Sequence, residues 1–122
     1  MTLTAALTRH LKNPEQFLDL SEPSTHTATS MKRFAVFNPS TGDLLAEVPD
    51  MSAEEVSAAI DKAHAAQAPW AGLTARARSD ILWKWHRLIL EHSDDLAVIL
   101  TAEMGKPLGE AKSEVLYAAA YL

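Results

Sequence analysis

The sequence predicts an α+β-like arrangement, in which a β-hairpin near Phe34 to Val48 is followed by about four helices beginning near Ser52, Thr74, Ser93 and Pro107. Three observations carry that prediction. Two short β-type runs flank a cluster of strong turn formers, the apolar period then changes from two to about 3.6, and each helical stretch opens on a capping residue or a proline. Of the 122 residues, 28 are Leu, Ile, Val or Phe, above the roughly 20% below which disorder is the default. The length suits one ordinary domain.

The N-terminal stretch has Leu3, Leu7 and Leu11 at spacing four, which predicts a short amphipathic helix ending near Asn13-Pro14, where proline stops continuation. Residues 1–20 are read as an N-terminal arm and residues 21–33 as a flexible linker. Ser21 to Ser30 is polar and hydroxyl-rich, with too little apolar surface to offset the entropy of ordering it. Phe34-Ala35-Val36-Phe37 and Leu44-Leu45-Ala46-Glu47-Val48 are the hairpin strands, joined through Asn38-Pro39-Ser40-Thr41-Gly42-Asp43. Pro49 ends the second strand, since it has no amide proton for a ladder.

Ser52-Ala53-Glu54-Glu55 is a capping box. In the helix it opens, Val56, Ile60 and Ala63 are expected to form the buried stripe, and Pro69 is expected to stop it. Thr74 caps the next helix, where Ile81, Leu82, Trp85, Leu88 and Ile89 closely follow the i, i+3, i+4, i+7, i+8 rule, Leu82 standing in for the i+3 position, and place Trp85 in a core. Ser93-Asp94-Asp95 opens a third helix with two acids in the first turn, where the dipole favours them. Its Leu96, Ile99 and Leu100 are expected to bury, and Gly105 to provide a left-handed stop. Pro107 starts the fourth helix, with Leu108, Ala111, Val115, Ala118 and Leu122 as its inner stripe and no stop signal before Leu122.

Charge and composition narrow the function classes. The net charge of -5 argues against a nucleic-acid or anionic-membrane surface, and Arg76, Lys84 and Arg87, which share one helix surface, have no aromatic platform beside them and read as a solvated face. No apolar run approaches the ~18 residues of a membrane span, and the first 20 residues resemble neither a secretory signal nor a mitochondrial presequence, so the cytoplasm is the expected compartment. The absence of cysteine removes disulfides, zinc-thiolate sites and thiol nucleophiles from this stretch. None of the five histidines forms an i, i+4 pair, so no histidine metal site is expected. Glu110 and Glu114 share a helix face without a nucleophile or base in register. Gly105-Lys106-Pro107 lacks the preceding glycine of a phosphate loop.

Beyond periodicity, Asn38-Pro39-Ser40-Thr41-Gly42, Val48-Pro49, Pro69-Trp70 with Arg78, and the block from Leu100 through Gly105-Lys106-Pro107-Leu108 to Glu114 resemble, in order and spacing, the N-terminal part of the NAD(P)-dependent aldehyde dehydrogenase superfamily. The stretch from Asp94 through Tyr117-Ala118-Ala119 is most similar to succinate-semialdehyde dehydrogenases. Family members carry a glycine-turn hairpin with an aromatic residue before the Asn-Pro strand, and Asp19 to Ser30 departs from that pattern.

The resemblance implies an α/β family fold in which residues 34–122 are the first part of the cofactor-binding domain. It implies NAD or NADP as cofactor, a small aldehyde as substrate, a homo-oligomer when complete, and a cysteine thioester route whose cysteine lies outside this sequence. This chain alone is therefore expected to be inactive, with no catalytic or cofactor-binding residue of its own. The resemblance further implies that Ser113 and Tyr117 face the substrate entrance, and that the backbone carbonyls of Val36, Phe37 and Glu103 serve a monovalent cation. The competing reading is a non-catalytic helical interaction module, or a gene remnant, derived from the same family.

Overall fold

The computed structural model describes residues 2–3, 5–14 and 32–122. Within them the chain runs β1 (Thr2–Leu3), α1 (Ala5–Thr8), β2 (Arg33–Phe37), β3 (Leu44–Pro49), α2 (Ala53–Gly72), α3 (Ala75–Glu91), α4 (Ser93–Met104) and α5 (Leu108–Ala119). The expected hairpin and four helices are present. The linker reading for residues 21–31 lies outside the described residues.

The hairpin forms because Asn38-to-Asp43 closes on itself. Asn38 donates its amide to the Asp43 carbonyl at 2.9 Å, and Gly42, at φ +77°, donates to the Asn38 carbonyl at 2.8 Å. The Asn38 side-chain oxygen accepts from the amides of Ser40 and Thr41 at 2.8 and 3.3 Å, the local bonding that suits Asn to turns. In the ladder Phe34 opposes Val48 and Val36 opposes Ala46, but Phe37 opposes Leu44. The extra residue, Leu45, is a bulge, and bulges break the in-out alternation of a strand. Leu45 and Ala46 accordingly bury side by side.

β1 was not anticipated. Leu3 pairs as a strand with Ala46, antiparallel to β3, so the sheet order is β1-β3-β2 and the expected helix from Leu3 to Leu11 shortens to α1. The reason is competition: β3 offers an unpaired edge, and pairing there satisfies backbone groups that an isolated short helix leaves to water. Leu7 and Leu11 close with Leu45 and Ala46 into a small core, against which Val98, Ile99 and Ala102 of α4 pack.

The helix starts follow the sequence. Ser52 and Glu55 form both bonds of the capping box, and Thr74 accepts from the Ala77 amide at 3.1 Å. Gly105, at φ +76°, ends α4. Pro107 is the cap residue of α5, with the helix beginning one residue later.

Several expectations need correction. Pro69 lies inside α2, which continues to Gly72, because a proline in the final turn removes one amide without removing the packing or bonds of the turns before it. The stripe of Val56, Ile60 and Ala63 is not buried, Ile60 being 63% exposed, and Trp85 is 55% exposed instead of sitting in a core. No described element covers these faces. Leu96, Ile99 and Leu100 are half-buried, while Asp95 and Ala97 are the fully enclosed residues of that turn. On α5 the inward residues are Ala111, Val115 and Ala119, whereas Leu108 and Ala118 are exposed. α5 ends at Ala119, and Leu122 follows the turn that closes it.

Candidate functional site

Helix α5 carries the two residues expected at a substrate entrance. Ser113, Tyr117 and Tyr121 follow at spacing four, so they form one stripe along α5 and its closing turn. The stripe is open, with Tyr117 67% and Tyr121 72% exposed. Ser113 donates its hydroxyl to the Gly109 carbonyl at 2.9 Å. Tyr121 donates its phenol to the Tyr117 oxygen, and the two rings meet edge to face, 5.1 Å between centroids at 85°. Donation by the neutral phenol raises the Tyr121 pKa above its ordinary value. Ser113 and Tyr117 are the positions implied by the family resemblance, and Tyr121, one i, i+4 step further on, shares their stripe.

Beside this stripe, Glu114 is ion-paired with Lys106. The Glu110/Glu114 pairing considered from sequence is thus replaced by a Lys106–Glu114 contact across the α4–α5 loop. The same loop approaches the hairpin turn: a side chain at Gly105 would meet Pro39 Cγ at 3.3 Å and Ser40 Oγ at 3.4 Å. Val36, Phe37 and Glu103 therefore belong to two segments that the fold brings together, and the ladder register breaks between Val36 and Phe37.

The orientation of α5 depends on α4 and on the N-terminal arm. Asp95 is 2% exposed, and its carboxylate accepts from the Lys12 amide at 2.6 Å, the Asn13 amide at 3.0 Å and the Asn13 side-chain amide at 3.1 Å. Asp94 pairs with Lys112 on α5 and, at 2.7 Å, with Lys12 on the arm. The Lys112 and Lys12 ammonium groups hold the Asp94 carboxyl down from 3.8 to about 2. One pair of adjacent acids thus ties arm, α4 and α5 together, a long-range role beyond the helix-dipole role read from sequence.

Arg78 donates to the Leu73 carbonyl at 2.6 Å and the Ala71 carbonyl at 3.4 Å, satisfying the end of α2 after Pro69-Trp70. His86 Nδ1 lies 2.9 Å from the Ala119 carbonyl, joining α3 to the end of α5, and Trp83 stacks edge-on against His86. Among the described residues no group of three or more His, Cys, Asp or Glu is arranged to hold a metal, and no helix is long and apolar enough to cross a membrane.

The aldehyde dehydrogenase family profile matches residues 26–122. A protein of Sinorhizobium fredii (strain NBRC 101917 / NGR234), named probable succinate-semialdehyde dehydrogenase (NADP(+)), is 75% identical over 100% of this chain, which covers 25% of that protein. A succinate-semialdehyde dehydrogenase (NADP(+)) of Escherichia coli (strain K12) is 52% identical over 71% of this chain and 18% of its own length. The crystal structure of succinate-semialdehyde dehydrogenase from Burkholderia pseudomallei superposes with a TM-score of 0.71 at 51% identity, over 74% of this chain and 19% of that one. The chain thus spans a quarter or less of the length of these relatives. The profile takes in the hairpin turn, the Pro-Trp pair at the end of α2 and the Gly-Lys-Pro loop, and the chain belongs to the aldehyde dehydrogenase family.

Proposed function

We propose that this chain is the N-terminal portion of an NADP-dependent succinate-semialdehyde dehydrogenase, which oxidises succinate semialdehyde to succinate. The observation that carries the reading is 75% identity over the whole chain, arm included, to a protein of that name. NADP+ supplies the hydride acceptor when bound. In this reading its cradle belongs to the remainder of the polypeptide; among the described residues the two glycines with positive φ, Gly42 and Gly105, serve the hairpin turn and the end of α4. With no cysteine in the sequence, the thiolate chemistry falls to the remainder of the polypeptide in this reading.

In this reading α5 lies at the mouth of the substrate tunnel, with Ser113 and Tyr117 facing the incoming aldehyde. The backbone carbonyls of Val36, Phe37 and Glu103 surround a monovalent cation. The enzyme is a cytoplasmic homo-oligomer. The exposed stripes of α2 and α3 support a role as one part of a larger packed unit, since contiguous apolar surface marks an interaction face.

Purified as the complete cellular polypeptide that carries these residues, the protein is expected to reduce NADP+ with succinate semialdehyde, and to do so faster than NAD+. Absence of nicotinamide reduction with any aldehyde would overturn the reading. A clear preference for glutarate semialdehyde, one methylene longer, would keep the reaction and replace the substrate.

A further inference from the structure

The seam where the N-terminal arm meets the hairpin turn and the end of α4 encloses a cavity of about 450 Å3. Leu7 of α1, Leu45 of β3, Val98 of α4 and Leu108 of α5 give it an apolar lining. Two groups of opposite charge share that lining, Arg9 on the arm and Asp43 at the close of the hairpin turn. Among the described residues neither is ion-paired, with the other or with anything else. Arg9 spends its Nε–H on His10 Nε2 at 3.1 Å, which leaves the two terminal NH2 groups, the fork that matches a carboxylate. Asp43 Oδ2 accepts from the Thr41 hydroxyl at 2.8 Å, and its other oxygen has no partner among the described residues. Thr101, in the α4 wall, has a buried hydroxyl without a hydrogen-bond partner among the described residues. Buried polar groups are nearly always bonded, so this wall is one hydrogen bond short.

Unpaired charges of both signs beside an apolar cavity discriminate among ligands. A plain carboxylate would face Asp43, a plain amine would face Arg9, and a neutral apolar molecule would leave both charges without a counterpart. A zwitterion answers both. From this juxtaposition we propose that the cavity is a binding site for a free amino acid with an apolar carbon body: the Arg9 guanidinium takes its carboxylate, the Asp43 carboxylate takes its ammonium, and the aliphatic side chains cover the carbons between or beyond them. Because Arg9 belongs to the arm and Asp43 to the hairpin, the bound ligand bridges the two and holds the arm in place alongside the Asp95 contacts to Lys12 and Asn13.

The test uses the complete polypeptide and reads binding instead of turnover, so it stands whether or not the dehydrogenase reading holds. Leucine and 6-aminohexanoate, with close and distant charges, are titrated by calorimetry beside their single-charge analogues 4-methylpentanoate, 3-methylbutylamine, hexanoate and hexylamine. At least one zwitterion is expected to bind about tenfold more tightly than its own analogues, the scale of one hydrogen bond to a charged group. Arg9→Gln is expected to remove that advantage over the amine, and Asp43→Asn the advantage over the carboxylate. Both side chains are exposed, so each variant should keep the unfolding midpoint of the parent. Hydrogen exchange at the Lys12 and Asn13 amides is expected to slow at saturation with the zwitterion, and to lose that response in Arg9→Gln. No heat from either zwitterion up to about 10 mM, equal affinity for a zwitterion and its analogues, affinity untouched by both substitutions, or exchange unchanged at saturation would each overturn the proposal.

Discussion

The arm side of the molecule and the α2–α3 side use apolar residues to opposite ends. Around β3, Leu7, Leu11, Leu45 and Ala46 close into a core with α4, and the buried Asp95 fastens the arm over it. Along α2 and α3, Val56, Ile60, Trp85 and Leu88 are as periodic as any core-facing set, yet all are about half exposed or more. Periodicity states that a face is made to be covered and does not state by what. On the arm side the cover is local, and three hydrogen bonds reaching across 82 or 83 residues hold it there. On the α2–α3 side no described element supplies it.

The comparison can be broken most forcefully at Asp95. Replacing it with Ala leaves the Lys12 and Asn13 amides without their acceptor in a closed setting, and about 3 kcal/mol of stability is expected to be lost, read by urea unfolding. A loss under about 1 kcal/mol would mean that the arm is not fastened there. Next in size is a paired truncation. Leu45→Ala is expected to cost about 2 to 3 kcal/mol, whereas Ile60→Ala, on the open side, should stay within about 0.5 kcal/mol; similar values at the two positions would erase the distinction between the regions.

Ser52→Ala removes one bond of the capping box at the start of α2 and should cost about 1 kcal/mol, with an unchanged unfolding midpoint counting against the cap. The smallest effect concerns acid. Because the folded-state pKa of Asp94 is depressed from 3.8 to about 2, its contribution is fully present above the ordinary carboxylate value and disappears as pH falls from about 4 to about 2. Both partners are solvent-accessible, so added salt should shrink the effect. Hydrogen exchange at the Lys12 and Asn13 amides is expected to quicken across that window; flat exchange would show that Asp94 does not help seat the arm.

Much of the fold was legible because it is encoded within a few residues of itself. Ser52 with Glu55, Thr74 with Ala77, Gly105 at the end of α4 and the Asn38-to-Asp43 turn are contacts over two to five positions, and the sequence announces them by residue type alone. Among the expected entrance residues, Ser113 and Tyr117 came from resemblance to the family and not from periodicity.

By itself, then, the sequence determined the hairpin, the helix starts, the left-handed stop at Gly105 and the family motifs, all of which depend on backbone preferences and near neighbours. Only the tertiary structure decided that Leu3 would join a sheet and not a helix, that Leu45 and Ala46 would bury together through a bulge, and that Asp95 would serve the arm. It also decided that Trp85 would stand in the open. The physical reason is common to these cases: an unpaired strand edge, a bulge, a buried carboxylate and an uncovered stripe are completed or left incomplete by partners far away in the chain, and a residue's own neighbours carry no information about whether those partners arrive.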